Sequence, residues 1–187
     1  MKKLCVFASG AGSNAENLIR YFKERKTAEV ALVVTNRRDA GIVELAKGLG
    51  VEVLVCDRES FNNPSGLTQK LHEKKIEFIV LAGFLWLIPE CMVKAFPDKI
   101  VNIHPALLPL YGGKGMFGMH VHEAVVKAGE KESGITIHYV NSRYDDGRIL
   151  LQKKFSLEPG ETPNSLALKI RSLEHQYFPP LVESLVI

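Results

Sequence analysis

Apolar and polar positions alternate between two periods along the first hundred residues. Short runs rich in β-branched residues, "KLCVFAS", "EVALVVTN", "VEVLVCD" and "EFIVLAGF", each give way to a stretch with helical spacing. In "NAENLIRYFKER" the apolar Leu18, Ile19 and Phe22 share one helical face, and "GIVELAKGLG" ends between Gly48 and Gly50. "PSGLTQKLHEKK" and the shorter "PECMVKAF" predict further helices, the second just ahead of a fifth apolar run, "KIVNIHPAL". Apolar strands joined by helices imply a parallel sheet covered on both faces. The pattern changes after "HEAVVKAG". There "SGITIHYVNS" and "RILLQKKFSL" are separated by "RYDDG" and predict an antiparallel pair. From "TPNSLALKIRSLEHQYF" onward the chain reads as a closing helix, with Pro163 in its first turn. The expected fold is α/β and Rossmann-like: a mostly parallel sheet flanked by helices, with an antiparallel C-terminal strand pair. No repeat or linker interrupts it, so residues 1–187 are expected to form one domain.

Composition narrows the function classes. The chain has 187 residues, 46% of them hydrophobic and 24% charged, an ordinary balance for a globular domain with a sizeable core. Its net charge of +3, without a dense Lys/Arg stripe, suits an anionic small molecule and gives no reason to expect nucleic acid. "MKKLCVFASG" is too short in its apolar run for a signal peptide, and nothing reaches the roughly 18 apolar residues of a membrane span. Cys5, Cys56 and Cys91 lack metal or disulfide spacing and read as small apolar residues in a reducing, cytoplasmic setting.

Two places carry candidate chemistry. "ASGAGSNAENL" joins the first strand to the first helix. Gly10 and Gly12 permit a close backbone approach, and the amides of Ser13, Asn14 and Ala15 would open at a helix N-terminus that favours phosphate. Gly10-x-Gly12-x-x-Ala15 also matches the loose dinucleotide fingerprint; Asn36-Arg37-Arg38 after the second strand would then suit only NADP. A plain tight turn is the third reading. Further on, alternation in "KIVNIHPALL" puts Asn102 and His104 on one side of a strand that Pro105 stops. They are either a strand-end cap with a satisfied histidine or part of a site. The long loop "PALLPLYGGKGMFGMH" and a second loop carrying Asp145 and Asp146 favour the site, since open α/β sheets place ligands at strand ends.

Beyond these segments, "LAGFLWLIP", "NIHPALLPLYGG", "HVHEAV", "GITIHYVNSRYDDGRIL" and "LEHQYFPPLV" bring in a resemblance that runs nearly end to end. The chain resembles the folate-dependent phosphoribosylglycinamide formyltransferases, the glycinamide ribonucleotide transformylases of purine synthesis. Asn-x-His-Pro followed by Gly-x-Thr and Asp-x-Gly, in this order, is specific to formyltransferases of that superfamily. The resemblance implies the formyltransferase fold, a phosphate-binding half over about 1–100 and a catalytic and folate half over about 101–187. It implies transfer of the formyl group of 10-formyltetrahydrofolate, a co-substrate, to the amine of glycinamide ribonucleotide, with no metal. The tetrahedral oxyanion would be stabilised by Asn102 and by His104, which donates a charged hydrogen bond if protonated, with Asp145 favouring the imidazolium and assisting proton transfer. Gly12, Ser13 and Asn14 fall on the family's phosphate loop, and Glu174 on its acidic contact to the glycinamide substrate. Phe84, Leu85, Leu87, Ile88, Val140 and Asn141 fall on its folate side. Small molecules are the implied partners, with no membrane and no nucleic acid, and the protein is expected as a monomer or homodimer.

The chain departs from the family's pattern at three places: Trp86 stands where an Arg is common, Ser142 where an acid is usual, and "YGGKGMFGMHVH" is longer than the compact form. Another formyltransferase or a formylfolate hydrolase of the same fold, and an NADP-dependent reductase using the glycine loop, are the alternatives. His104, His120 and His122 lack the cysteine or carboxylate that would complete a metal set. His138, on a strand face, reads as structural, and His175 as positioning the terminal helix.

Overall fold

The computed structural model describes residues 1–187. All seven strands fall where the hydrophobic pattern predicts them, with seven helices, two more than it predicts. The first half runs β1 (Lys2–Phe7), α1 (Ser13–Arg25), β2 (Ala28–Thr35), α2 (Gly41–Gly48), β3 (Glu52–Val55), α3 (Arg58–Asn62), α4 (Gln69–Glu73), β4 (Phe78–Leu81) and α5 (Glu90–Ala95). Then follow β5 (Ile100–His104), α6 (Met119–Lys127), β6 (Glu132–Tyr139), β7 (Ile149–Ser156) and α7 (Pro163–Val186). The helix expected over "PSGLTQKLHEKK" is broken. Gly66 takes a non-helical conformation in the turn Pro64–Thr68, and a Cβ there would stand 2.2 Å from the Ser60 carbonyl oxygen. The short α3 ahead of it is capped by Asp57, whose side chain accepts from Ser60 N at 2.7 Å.

All strands join one sheet in the order β3-β2-β1-β4-β5-β6-β7. The pairings from β3 across to β5 are parallel, whereas β6 is antiparallel to both β5 and β7. The antiparallel part therefore reaches one strand further into the sheet than the C-terminal pair that the sequence predicts. Chain order reverses direction between β1 and β4, which opens the crevice where α/β sheets place ligands. Alternation along β1 divides the core between the two faces. Leu4 and Val6 join a cluster with Leu18, Phe22, Ile42, Val121 and Phe178, while Cys5 and Phe7 join one with Phe61, Leu71 and Met92. Cys5 and Cys56 are buried and Cys91 half-buried, all three as free thiols.

Helix α7 begins at a capping box, in which the Thr162 hydroxyl accepts from Ser165 N and Ser165 Oγ accepts from Thr162 N. Near its far end Glu183, 7% exposed, ties α7 to α1 and to the turn ahead of β2. Its carboxylate accepts from Tyr21 Oη at 2.6 Å, Thr27 Oγ1 at 2.7 Å and Arg25 Nε at 3.3 Å. The Tyr21 hydrogen bond first, then the one from Thr27, hold its carboxyl at about 2. A depressed folded-state value stabilises the native state above the unfolded glutamate value of about 4.3, and that contribution is lost as pH falls through the folded value. Glu183→Gln is therefore expected to lower the urea midpoint at pH 7, and the gap from wild type should narrow as pH falls from about 4 toward 2. An equal midpoint at pH 7 would show that the carboxylate charge is not what joins these elements.

Candidate active site

A cavity of about 620 Å³ opens at the carboxyl ends of β1, β4 and β5. The first end of it is built by the glycine loop. Gly12 precedes α1 with φ 85°, and a Cβ there would stand 2.5 Å from Ile42 Cδ1, so this glycine lets α1 and α2 approach. Gly10 has open space where its Cβ would be. Gly12 thus answers to the packing of α1 on α2, whereas no neighbour requires a glycine at position 10; Arg37 is paired with Asp39 at 3.1 Å, and neither Arg37 nor Arg38 reaches the cavity. No side chain caps α1, so the first-turn amides, which have no intrahelical acceptor, are free for a ligand. Asn14 Nδ2 donates to Glu174 Oε2 at 2.8 Å, while Asn14 Oδ1 is buried without a partner.

Glu174 arrives from α7, where Ala167, Ile170, Arg171 and Glu174 form one helical stripe along the cavity. Burial pushes the Glu174 carboxyl up, against the pull of the Asn14 hydrogen bond and the Arg171 charge. Arg171, which the sequence reading did not single out, makes no ion pair, so its charge is available to a ligand.

The middle of the cavity holds the polar constellation. Asn102 and His104 project from β5 on one face, as alternation predicts, and Asp145 joins them from the β6–β7 loop. Asp145 adopts φ 51°, a conformation that aspartate tolerates better than most residues. Its Oδ2 accepts from Gly113 N at 2.9 Å and lies 3.6 Å from His104 Nδ1. His104 Nε2 lies 2.7 Å from the Tyr111 carbonyl oxygen. A carbonyl only accepts, so neutral His104 carries its proton on Nε2 and turns the Nδ1 lone pair toward Asp145. Burial lowers the His104 pKa from the usual 6.5, and Asp145 and the Tyr111 bond recover only part of that. Desolvation thus outweighs one carboxylate at 3.6 Å and favours the neutral imidazole over the imidazolium.

His138 was read as structural and proves to stand in the site. Strand pairing sets it directly opposite Asn102. Its Nδ1 lies 2.8 Å from the Tyr139 carbonyl oxygen and so bears the proton; its Nε2 accepts from Asn102 Nδ2 at 3.1 Å. A longer contact of 3.4 Å runs from the same Nδ2 to Asp145 Oδ1. Both amide hydrogens of Asn102 are engaged. The one signal for His138 was its parity with Thr136 along β6, which needed the pairing register to become informative. Burial alone would raise the Asp145 carboxyl, but the His138 interaction, the His104 charge and the Gly113 amide together hold it below the usual range.

The loop from Pro105 is pinned by Thr136, the threonine of the Gly-x-Thr segment. Thr136 Oγ1 donates to Ala106 O at 2.7 Å and accepts from Leu108 N at 3.0 Å. His122, on α6, lines the cavity with its Nδ1 buried and unpartnered. No grouping of three His, Cys, Asp or Glu side chains, the histidines of "MHVH" included, is arranged to hold a metal.

Residues expected on the folate side divide. Phe84 and Leu85 line the cavity, with Leu85 N bonded to Ser9 Oγ at 3.1 Å. Leu87 is at the surface, and Ile88 is in the core. Val140 packs against the second core cluster, and Asn141 Nδ2 bonds Asp146 Oδ2 at 3.1 Å; neither is on the cavity wall. Trp86 lies outside it too, against Phe61 at 5.2 Å, with the Arg58 guanidinium 4.0 Å above its ring.

A parallel sheet with a crevice at its reversal point, an uncapped helix at one end, and an Asn–His pair on its last parallel strand met by an Asp from the appended antiparallel hairpin define a class of α/β enzyme site. Residues 2–182 match the family described as "Formyl transferase", and the chain belongs to that family. It is similar to the chloroplastic phosphoribosylglycinamide formyltransferase of Arabidopsis thaliana, with 43% identity over 97% of the chain, and spans 64% of that relative's length. It is similar also to the phosphoribosylglycinamide formyltransferase of Bacillus subtilis, with 34% identity over all of this chain and 95% of the relative. Among solved structures, glycinamide ribonucleotide transformylase 1 from Geobacillus kaustophilus superposes with a TM-score of 0.90 at 33% identity, covering all of both chains.

Proposed function

We propose that this protein transfers the formyl group of 10-formyltetrahydrofolate to the amine of glycinamide ribonucleotide, a step of purine biosynthesis. The observation that carries this reading is the meeting of Asn102, His104 and Asp145 midway along one cavity, between the uncapped start of α1 and the Phe84–Leu85 wall. Family membership and the names of the similar proteins support it.

In this reading Gly12, Ser13 and Asn14 take the substrate phosphate on main-chain amides, and Glu174 accepts from polar hydrogens of the same substrate. The orphaned Asn14 Oδ1 supplies one more acceptor. A flat pterin suits the apolar Phe84–Leu85 wall, with Leu87, Ile88, Val140 and Asn141 attributed to the folate side by resemblance alone. When bound, the folate supplies an activated formyl carbon. Residues 1–100 would then contribute the phosphate loop and 101–187 the catalytic trio. Net charge, the cysteine pattern and the lack of any helix long and apolar enough to cross a membrane support a small-molecule enzyme of the cytoplasm, working as a monomer or homodimer.

The chemistry follows from the geometry. A neutral amine attacks the formyl carbon, and negative charge gathers on the formyl oxygen as the amine nitrogen becomes positive. Asn102 can turn the hydrogen of its long 3.4 Å contact from Asp145 to that oxygen while keeping the bond to His138. Neutral His104 takes the amine's proton at Nδ1, directly or through a water. Asp145, 3.6 Å away, balances the imidazolium so formed. The proton then passes to the departing folate nitrogen, and His104 is neutral again.

The test is formyl transfer from 10-formyltetrahydrofolate to glycinamide ribonucleotide. Transfer at rates typical of enzymes supports the reading, and formate release that ignores the amine would replace it with a hydrolase. The pH profile provides a second check. Because His104 must be neutral to act and its pKa is depressed, kcat at saturating substrates, which is free of the titration of the unbound amine, should hold down to pH 6.5 and fall only below it. Asp145, His138 and His122 face His104 and set where the fall occurs. An acid limb centred above pH 7 would exclude His104 as the base.

A further inference from the structure

Tyr111 adopts a left-handed backbone conformation, φ 55°, that a bulky residue rarely takes. Such a conformation persists only where the surroundings over-determine it. The residue is held at both ends. Its main-chain carbonyl turns back to accept the Nε2 hydrogen of His104 at 2.7 Å, and its phenol donates to Glu130 Oε1 at 2.6 Å. Glu130 sits on the turn that closes α6, where its own amide reaches the Val125 carbonyl at 3.4 Å. The ring packs against the main core cluster.

We propose that the Tyr111–Glu130 pair is a positioning device for His104, holding the Tyr111 carbonyl on Nε2 so that the neutral ring keeps Nδ1 free as the base. The Tyr111 carbonyl is the only hydrogen-bond partner of the His104 ring. The charged and titratable groups around the ring are Asp145 from the β6–β7 loop, His138 from β6 and His122 from α6. Of these, Asp145 Oδ2 at 3.6 Å from Nδ1 favours the opposite tautomer, with the hydrogen on Nδ1. That tautomer has no lone pair left on the side where the proton must be taken. The carbonyl must outcompete the carboxylate, and a short direct bond does so only while Tyr111 stays in its strained conformation.

The phenol–carboxylate bond is of the charge-assisted kind, roughly twice as strong as a neutral one. Hydrogen bonding to Glu130, together with burial, pushes the Tyr111 phenol up to about 12, so it remains a donor throughout the working range. The nearby Gly113 amide fastens the same loop to Asp145. The loop thus sets both members of the proton path, one through each of two bonds.

The assignment concerns the histidine of the proposed formyl transfer and rests on that reading only for its rate measurement. Its test is nitrogen-15 NMR of the histidine rings in the free protein, for wild type, Tyr111→Phe, Glu130→Ala and Glu130→Gln, followed by kcat and KM. Wild type should show neutral His104 with its hydrogen on Nε2. Tyr111→Phe and Glu130→Ala should shift it toward Nδ1–H and lower kcat roughly tenfold, about the effect of one hydrogen bond, with KM little changed. The acid limb should also move to lower pH, since the Tyr111 bond raises the His104 pKa. Glu130→Gln, which can still accept the phenol hydrogen, should restore the wild-type tautomer. An unchanged Nε2–H form in either folded variant overturns the proposal. Because the spectra need no substrate, this outcome can be read even if formyl transfer by the wild type is not observed.

Discussion

Asp145→Asn is expected to lower kcat by roughly a hundredfold or more, the range that positioned acid–base groups supply. The change preserves shape, and the remaining amide oxygen can still accept from Gly113 N. What it loses is charge. An imidazolium formed at His104 would no longer have a carboxylate 3.6 Å away to balance it. With that oxygen on Gly113 N, the new amide nitrogen falls at the Oδ1 position, facing Asn102 Nδ2 and His138 Nε2, and disturbs the amide meant for the oxyanion. Both effects act on kcat, whereas KM for the phosphorylated substrate should change little, because Gly12, Ser13 and Asn14 lie at the other end of the cavity. Steady-state rates with each substrate varied in turn would check this. A variant within a few-fold of wild type would remove Asp145 from the proton path.

The second large effect is expected at Gly147, the glycine of the Asp-x-Gly segment. A Cβ at this position would fall 1.6 Å from the Tyr139 carbonyl oxygen and 2.7 Å from its carbon, both main-chain atoms that cannot swing aside. Gly147→Ala must therefore separate the start of β7 from the end of β6, where Tyr139 N bonds Arg148 O at 2.9 Å. Overpacking of this kind typically costs about 1–3 kcal/mol, and a backbone clash belongs at the upper end. The damage should extend to the site. The Tyr139 carbonyl fixes the hydrogen of His138 on Nδ1, and His138 in turn receives Asn102 Nδ2. Denaturant midpoints should fall, and activity per folded molecule should fall with them. A wild-type midpoint would mean that the two strands part at no cost.

Much of this architecture is legible from the chain because it rests on local rules. Period-two apolar runs and helical spacing define the alternating elements, and Leu4 and Val6 against Cys5 and Phe7 show the alternation dividing the core as it should. The Asn-x-His pair at a strand end needs only parity along β5 to place both side chains on one face. The helix expected over residues 64–75 is broken because Gly66 answers to the Ser60 carbonyl, a close approach that periodicity does not express. Gly12 is the reverse case: the sequence singles it out, but its demand comes from Ile42, on a different helix.

The order of elements, the fold class and the placing of Asn102 and His104 on one strand face follow from the pattern of the chain; the choice of Asp145 over Asp146 comes from the resemblance. The chemistry those groups carry depends on contacts that the pattern does not contain. The register of β5 on β6 sets His138 opposite Asn102 and commits both hydrogens of that amide. The loop that Thr136 pins brings the Tyr111 carbonyl to Nε2 and so chooses the tautomer of His104. Burial then favours the neutral ring despite the carboxylate beside it. Protonation and tautomer depend on solvation and on single hydrogen bonds between residues distant in the chain. Those quantities exist only once the strands have paired and water has been excluded.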